Sequence, residues 1–216
     1  MSDKQLRQDI LDEFEFDPSF NAAHIGVLVD KNVVSLTGHV ESYAEKLAVL
    51  RSARRVKGVQ AIADEIEVRF PNQPKTADDQ IAQRATAILK WNAVVSNLPI
   101  DIVVHNGWIT LSGRVNWYFE RRAAENGVRE LSGVRGITNS IIVQPQVDAA
   151  NIKEKIESAL KRHAEVEANG IRISVKGGDH VVLEGKVGNW DERRAVENAA
   201  WSAPGVAAVD DRLSIG

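Results

Sequence analysis

One short block of residues occurs three times in this 216-residue chain, and the spacing around it constrains the fold more than any other feature. Val33-Val34-Ser35-Leu36-Thr37-Gly38-His39-Val40 returns as Trp108-Ile109-Thr110-Leu111-Ser112-Gly113-Arg114-Val115. It returns again as Val181-Val182-Leu183-Glu184-Gly185-Lys186-Val187. The glycines lie 75 and then 72 residues apart, and 20 residues after each comes a Gly-Val pair: Gly58-Val59, Gly133-Val134 and Gly205-Val206. A fixed internal period marks a tandem array, so the chain is read as repeats before it is read as domains.

Each repeat opens on a helix. Leu6, Ile10 and Phe14 fall four apart, as do Ile81, Ala85 and Leu89, and Ile152, Ile156 and Leu160. Capping residues stand before them: Ser2-Asp3, Thr76 with Asp78 and Asp79, and Asp148. Two alternating stretches then flank a turn at Asp30-Lys31-Asn32, His105-Asn106-Gly107 and Lys176-Gly177-Gly178-Asp179-His180, which is a hairpin signature. The third turn carries one extra residue.

A second helix buries small residues: Ala48, Val49, Ser52, Ala53 and Val56 in the first repeat. Its counterparts are Ala123, Ala124, Gly127, Val128 and Leu131, then Ala195, Val196, Ala199, Ala200 and Ala203. Gly58, Gly133 and Gly205 are expected to end it, and a last strand follows. The predicted architecture is α+β: three tandem α-β-β-α-β units over 1–70, 76–144 and 148–216, each with two helices on a small three-stranded mixed sheet. Proline-bearing linkers, Pro71–Lys75 and Gln144–Gln146, separate them.

Composition excludes several classes. There is no cysteine, hence no disulfide scaffold, thiolate metal site or cysteine nucleophile. Net charge is −3, without the basic excess of a nucleic-acid binder, so no nucleic acid is expected as partner. No apolar run approaches a membrane span. The N-terminal MSDKQLRQDILDEFEF lacks the basic and apolar regions of an export signal, which places the protein in the cytoplasm, or in the periplasm only if such a signal has been removed. No nucleophile elbow, phosphate loop, dinucleotide fingerprint or helical metal pair is present, so no catalytic residue, metal or cofactor is expected. The five histidines, His24, His39, His105, His163 and His180, read as surface or turn residues.

The pattern resembles the BON domain, named for bacterial osmotically inducible and nodulation proteins. The family strand motif V-x-L-x-G-x-V stands at Val34–Val40, Ile109–Val115 and Val181–Val187. Its acidic-basic pair stands as Glu45-Lys46, Glu120-Arg121 and Glu192-Arg193, and the polar residue of its last strand as Asp64, Asn139 and Asp211. The resemblance implies a non-enzymatic module that binds phospholipid or lies near membranes, linked to osmotic or envelope stress. The alternative is a scaffold or holdase-like stress protein that binds other proteins.

Two features are candidates for contact with a membrane or partner. An aromatic residue sits five positions after each strand glycine, at Tyr43, Tyr118 and Trp190, with Trp117 and Phe119 flanking the second. Amphipathic rings suit membrane interfaces, and equally suit stapling a helix start onto a sheet. The second feature is basic: Arg121 and Arg122, then Arg193 and Arg194. Such a face attracts anionic headgroups, or is simply solvated. The middle repeat, 71–147, carries 8 basic against 6 acidic residues and is the one net-basic repeat. Gly38, Gly113 and Gly185 are read as structural, letting the helices approach the sheet.

Overall fold

The computed structural model describes residues 2–70, 76–145, 151–162 and 170–216. The linker Pro71–Lys75, Gln146, the cap assigned to Asp148, and His163 lie outside the described residues. The first repeat contains α1 (Asp3–Phe16), β1 (Ile25–Asp30), β2 (Val33–Val40), α2 (Tyr43–Arg55) and β3 (Ala61–Val68). The middle repeat contains α3 (Asp78–Trp91), β4 (Ile100–His105), β5 (Trp108–Val115), α4 (Tyr118–Val128) and β6 (Gly136–Val143). The third contains α5 (Ile152–Arg162), β7 (Ile171–Lys176), β8 (His180–Val187), α6 (Trp190–Trp201) and β9 (Ala208–Ile215).

Each repeat has its own sheet, ordered β1-β2-β3, β4-β5-β6 and β7-β8-β9. β1 runs antiparallel to β2, with Val27 opposite Leu36, and β3 runs parallel to β2, with Leu36 opposite Asp64. The third sheet repeats this pattern. The parallel pair requires a crossover, which α2 and α6 supply. The fourfold spacing read in the sequence is the buried face of each first helix: Leu6, Ile10 and Phe14; Ile81, Ala85 and Leu89; Ile152, Ile156 and Leu160.

The chain divides into two compact units. One is built from Met1–Asn97, Asp101–Ser112 and Ala124–Ser140, the other from Leu98–Ile100, Gly113–Ala123 and Ile141–Gly216. The division passes through the middle repeat.

Local chemistry departs from the sequence reading in three places. The N-cap of α3 is Ala77, which makes no side-chain cap bond. Asp78 instead accepts the backbone N–H groups of Asn106 (2.7 Å) and Gly107 (2.8 Å), holding the β4–β5 turn. Asp3 does the same for Lys31 and Asn32, which sit at positive φ as a two-residue hairpin turn demands.

Gly58, Gly133 and Gly205 lie beyond their helices, each as the third residue of a β-turn closed from Val59 to Val56, Val134 to Leu131 and Val206 to Ala203. Their φ values of 99°, 90° and 90° require glycine there.

The strand glycines are needed for another reason than helix approach. Gly38, Gly113 and Gly185 have φ of 109°, 138° and 134°. A Cβ on them would stand 1.9, 2.2 and 2.1 Å from the carbonyl oxygens of His24, Pro99 and Gly170, just before the first strand of the sheet. The crowding is backbone on backbone inside the hairpin.

Candidate functional site

The acidic member of each pair proves to be internal fastening, and the basic member is so in the first and third repeats. Ser42 caps α2 by accepting the Glu45 N–H (3.1 Å), and the Glu45 carboxylate accepts back from the N–H of Glu41. This is a variant of the capping box, in which the carboxylate reaches the N–H one residue before the cap. Glu120 accepts from the N–H groups of Asn116 and Trp117, both at 2.9 Å, and Glu192 from that of Gly188 at 2.6 Å. The basic partner crosses to the last strand. Lys46 pairs with Asp64 at 3.0 Å and Arg193 with Asp211 at 2.8 Å. In the middle repeat, Asn139 donates to Glu125 at 3.0 Å.

The three aromatic positions have different surroundings. In the first unit, Tyr43 is half-buried against the core of the first repeat, and its hydroxyl is hydrogen-bonded to the backbone of Ile137 on β6. Burial, and secondarily the carboxylate of Glu125, raise its phenol above the ordinary value. Arg135 lies over the Phe70 ring in the same unit, 5.6 Å from its centroid. In the second unit, Tyr118 stacks on Trp201 with centroids 4.2 Å apart and planes 8° from parallel. One turn along α4, Arg122 donates to the Asn198 side chain at 3.0 Å. So Tyr43 and Tyr118 each reach from one repeat to the next. Ile137, Trp201 and Asn198 are contact residues the sequence reading missed, because nothing in a single repeat marks which side chain its neighbour will receive. Trp190 lies under its own Arg193, 5.4 Å from the ring centroid, and Arg194 pairs with Asp191 at 2.7 Å.

Two of the three consecutive aromatics are open to solvent, Trp117 at 38% and Phe119 at 58%. They flank the stacked Tyr118 at the start of α4, with Arg121 half-buried and Arg122 exposed on the next residues. The structure adds two aromatics that the sequence reading passed over. Phe16 and Trp91, at the same place on the last residues of α1 and α3, are 83% and 90% exposed. Both lie two residues past the last buried position of the stripe, Phe14 and Leu89, and so off its fourfold spacing, a signal the sequence could have given.

Among the described residues no cluster of three His, Asp or Glu is placed to hold a metal, and no helix is long and apolar enough to cross a membrane. His24 and His39 stack on each other, centroids 4.7 Å apart.

The geometry defines a class first: a tandem array of small α+β modules whose repeated polar residues hold each module together. The family follows from comparison with known proteins. The chain belongs to the BON domain family, whose model matches residues 2–69, 77–145 and 148–216. It is similar to osmotically inducible protein Y of Escherichia coli strain K12, with 25% identity over 127 residues, 57% of this chain and 63% of that protein. The matched region is thus less than two thirds of that relative's length. Two solved structures of CdsD, a structural protein of the type III secretion system of Chlamydia trachomatis, also align. One shares 17% identity over 98% of this chain and 92% of its own, with a TM-score of 0.27. The other, of the C-terminal domain, shares 16% over 100% of both, also at 0.27. A likeness of that size carries no weight for function.

The cytoplasmic setting expected from the N-terminal pattern is corrected by the curated relative. That relative, osmotically inducible protein Y, points away from a cytoplasmic setting. The sequence pattern could not decide the matter, since a cysteine-free chain suits oxidising and reducing compartments alike.

Proposed function

We propose that the chain is a non-catalytic, osmotic-stress-related protein that associates with anionic phospholipid membranes through the start of α4. The observation that carries this reading is the paired exposure of Trp117 and Phe119 on the net-basic middle repeat. Large rings held out in water beside guanidinium groups suit the headgroup boundary, where the ring enters the interface and the cation meets phosphate. The tandem BON architecture and the osmotically inducible relative support the stress connection.

Co-sedimentation with vesicles of phosphatidylglycerol and phosphatidylcholine tests it. Binding should fall on adding salt, because each nearby cation contributes about 1 kcal/mol through the surface potential. Trp117→Ala/Phe119→Ala should weaken binding about tenfold or more, given the apolar area withdrawn. If the unaltered protein stays in the supernatant with every vesicle, the membrane reading fails and a protein partner becomes the better account.

A further inference from the structure

The sheet of the middle repeat has two unlike faces. On β5, Ile109 and Leu111 are fully buried in the core, so Trp108, Thr110 and Ser112 take the opposite face, as alternation along a strand requires. Trp108 is 49% exposed there. Its Nε1–H donates to the Thr138 hydroxyl on β6 at 2.8 Å. A Cβ on Gly136 would collide with three adjacent carbons of the indole at nearly equal distance, which places it under the ring face and not at its edge. Gly136 has no positive φ, so the backbone does not demand glycine; the missing side chain leaves room for the ring. One indole face is therefore laid on the sheet, the other is turned to solvent, and the Thr138 bond fixes its orientation.

The other repeats lack this arrangement. The matching pairs are Val33 opposite Ala61 and His180 opposite Ala208. In the third repeat the face is a charged ladder, in which Glu184 pairs with Arg172 and Arg212, and Arg212 with Asp210. The same places around Trp108 hold Ser112, Asp101, Ser140 and Thr138, which are hydroxyls and a carboxylate. The hydroxyls of Thr110, Ser112 and Ser140 have no protein partner among the described residues. No cation stands among these residues to meet a phosphate. The indole N–H, the one donor a tryptophan side chain could offer an extended peptide, is already taken by Thr138.

We propose that this face binds a neutral oligosaccharide of equatorially linked pyranose rings. Such a ring shows an apolar face of axial C–H groups, which matches the solvent face of the indole. Its rim of hydroxyls matches Thr110, Ser112, Ser140 and the Asp101 carboxylate, which together donate and accept. Because the indole is already fixed, little ordering is lost on binding. The proposal uses none of the residues of the membrane reading and does not rest on it.

The full chain, labelled with 15N, would be titrated with cellohexaose, chitohexaose and maltohexaose. Saturable shifts of the Trp108 Nε1–H and of the Thr110, Ser112 and Ser140 amides are expected with cellohexaose or chitohexaose. A preference for chitohexaose assigns the site to an N-acetylated glycan, and a preference for cellohexaose to a glucan. Maltohexaose, whose axial links break the flat face, should bind roughly tenfold more weakly or worse. Trp108→Leu should abolish the shifts. Since Trp108 also covers Gly136, a second variant separates binding from folding. Thr110→Val keeps the side-chain shape and should leave the thermal midpoint in place while weakening binding about fivefold, as loss of one hydrogen bond does.

A spectrum unchanged by every hexamer, an equal response to maltohexaose, or undiminished binding by either variant overturns the proposal. So does a decaproline peptide that shifts the same residues when the hexamers do not. Vesicle binding through Trp117 and Phe119 can survive each of these results, so the saccharide proposal can fall while the membrane reading stands.

Discussion

The first and middle repeats bury the same helical stripe yet close the corner between their helices by opposite means. In the first, Ser52 is fully buried and donates to Asp17 at 2.6 Å, while Arg55 bridges Asp17 at 2.9 Å and Glu13 at 2.8 Å. The hydroxyl and backbone N–H of Ser19 also bond to Asp17. With those donors around it, the Asp17 carboxyl is held well below the usual carboxylate range, the serine bonds contributing most. In the middle repeat the same places are Asn92, Gly127, Glu130 and Ile88. There a Cβ on Gly127 would stand 3.4 Å from Ile88 and 3.5 Å from Leu89, so apolar side chains pack where the first repeat has its charge network. One corner is closed by a charge network and the other by removing a side chain. Repeats of a single fold therefore differ in what can open them.

The largest expected effect breaks the first corner. Asp17→Ala leaves the buried Ser52 hydroxyl without its acceptor and should cost about 2–3 kcal/mol in urea unfolding, from the penalty for an unsatisfied buried group. Asn92→Ala, its counterpart, loses one exposed bond to the Val94 N–H and should cost about 0.5–1 kcal/mol. Equal costs would erase the contrast. The acid limb sharpens it. Asp17 has a lowered folded value, so its contribution is complete above the ordinary carboxylate value of 3.8 and is lost as pH falls below it. Urea midpoints of the unaltered chain should drop on that limb more steeply than those of Asp17→Asn.

A smaller effect concerns the joins. Tyr118 meets its neighbour with a ring face and Tyr43 with a hydroxyl. A double-mutant cycle of Tyr118→Leu and Trp201→Leu should return about 1 kcal/mol of coupling, as stacked aromatic pairs do. Additive costs would mean that the stack holds nothing.

The smallest effect is Tyr43→Phe, about 0.5–1 kcal/mol for one hydrogen bond at neutral pH. Because the folded phenol is raised, its contribution is complete below about pH 10 and is lost as pH rises from there. The substitution should remove that alkaline loss in a pH series of thermal melts.

Periodicity made the helices, strands and turns legible, since burying Leu6, Ile10 and Phe14 on one stripe depends only on the spacing of apolar residues. The reason for Gly38 was not legible. It depends on where the His24 carbonyl points, and sequence spacing gives the position of a glycine but not the atom that crowds it. Asp78 had the residue type and place of a helix cap, but its carboxylate reaches the turn between two strands instead. At the candidate site, three adjacent rings cannot all be buried on one helix face, so the sequence implied at least one exposed ring but not which, and the structure exposes Trp117 and Phe119.

The sheet topology has a consequence for how the chain comes together. Among the described residues every strand pairs only inside its own sheet, and the parallel partners, such as Val33 and Ala61, lie less than half a repeat apart in sequence. No early segment must wait for a distant one to complete its ladder. A hairpin can form at once, and its third strand can dock as soon as the crossover helix has emerged. A chain delivered gradually from one end, from a ribosome or a translocation pore, can thus finish its first sheet while the last repeat is still unmade.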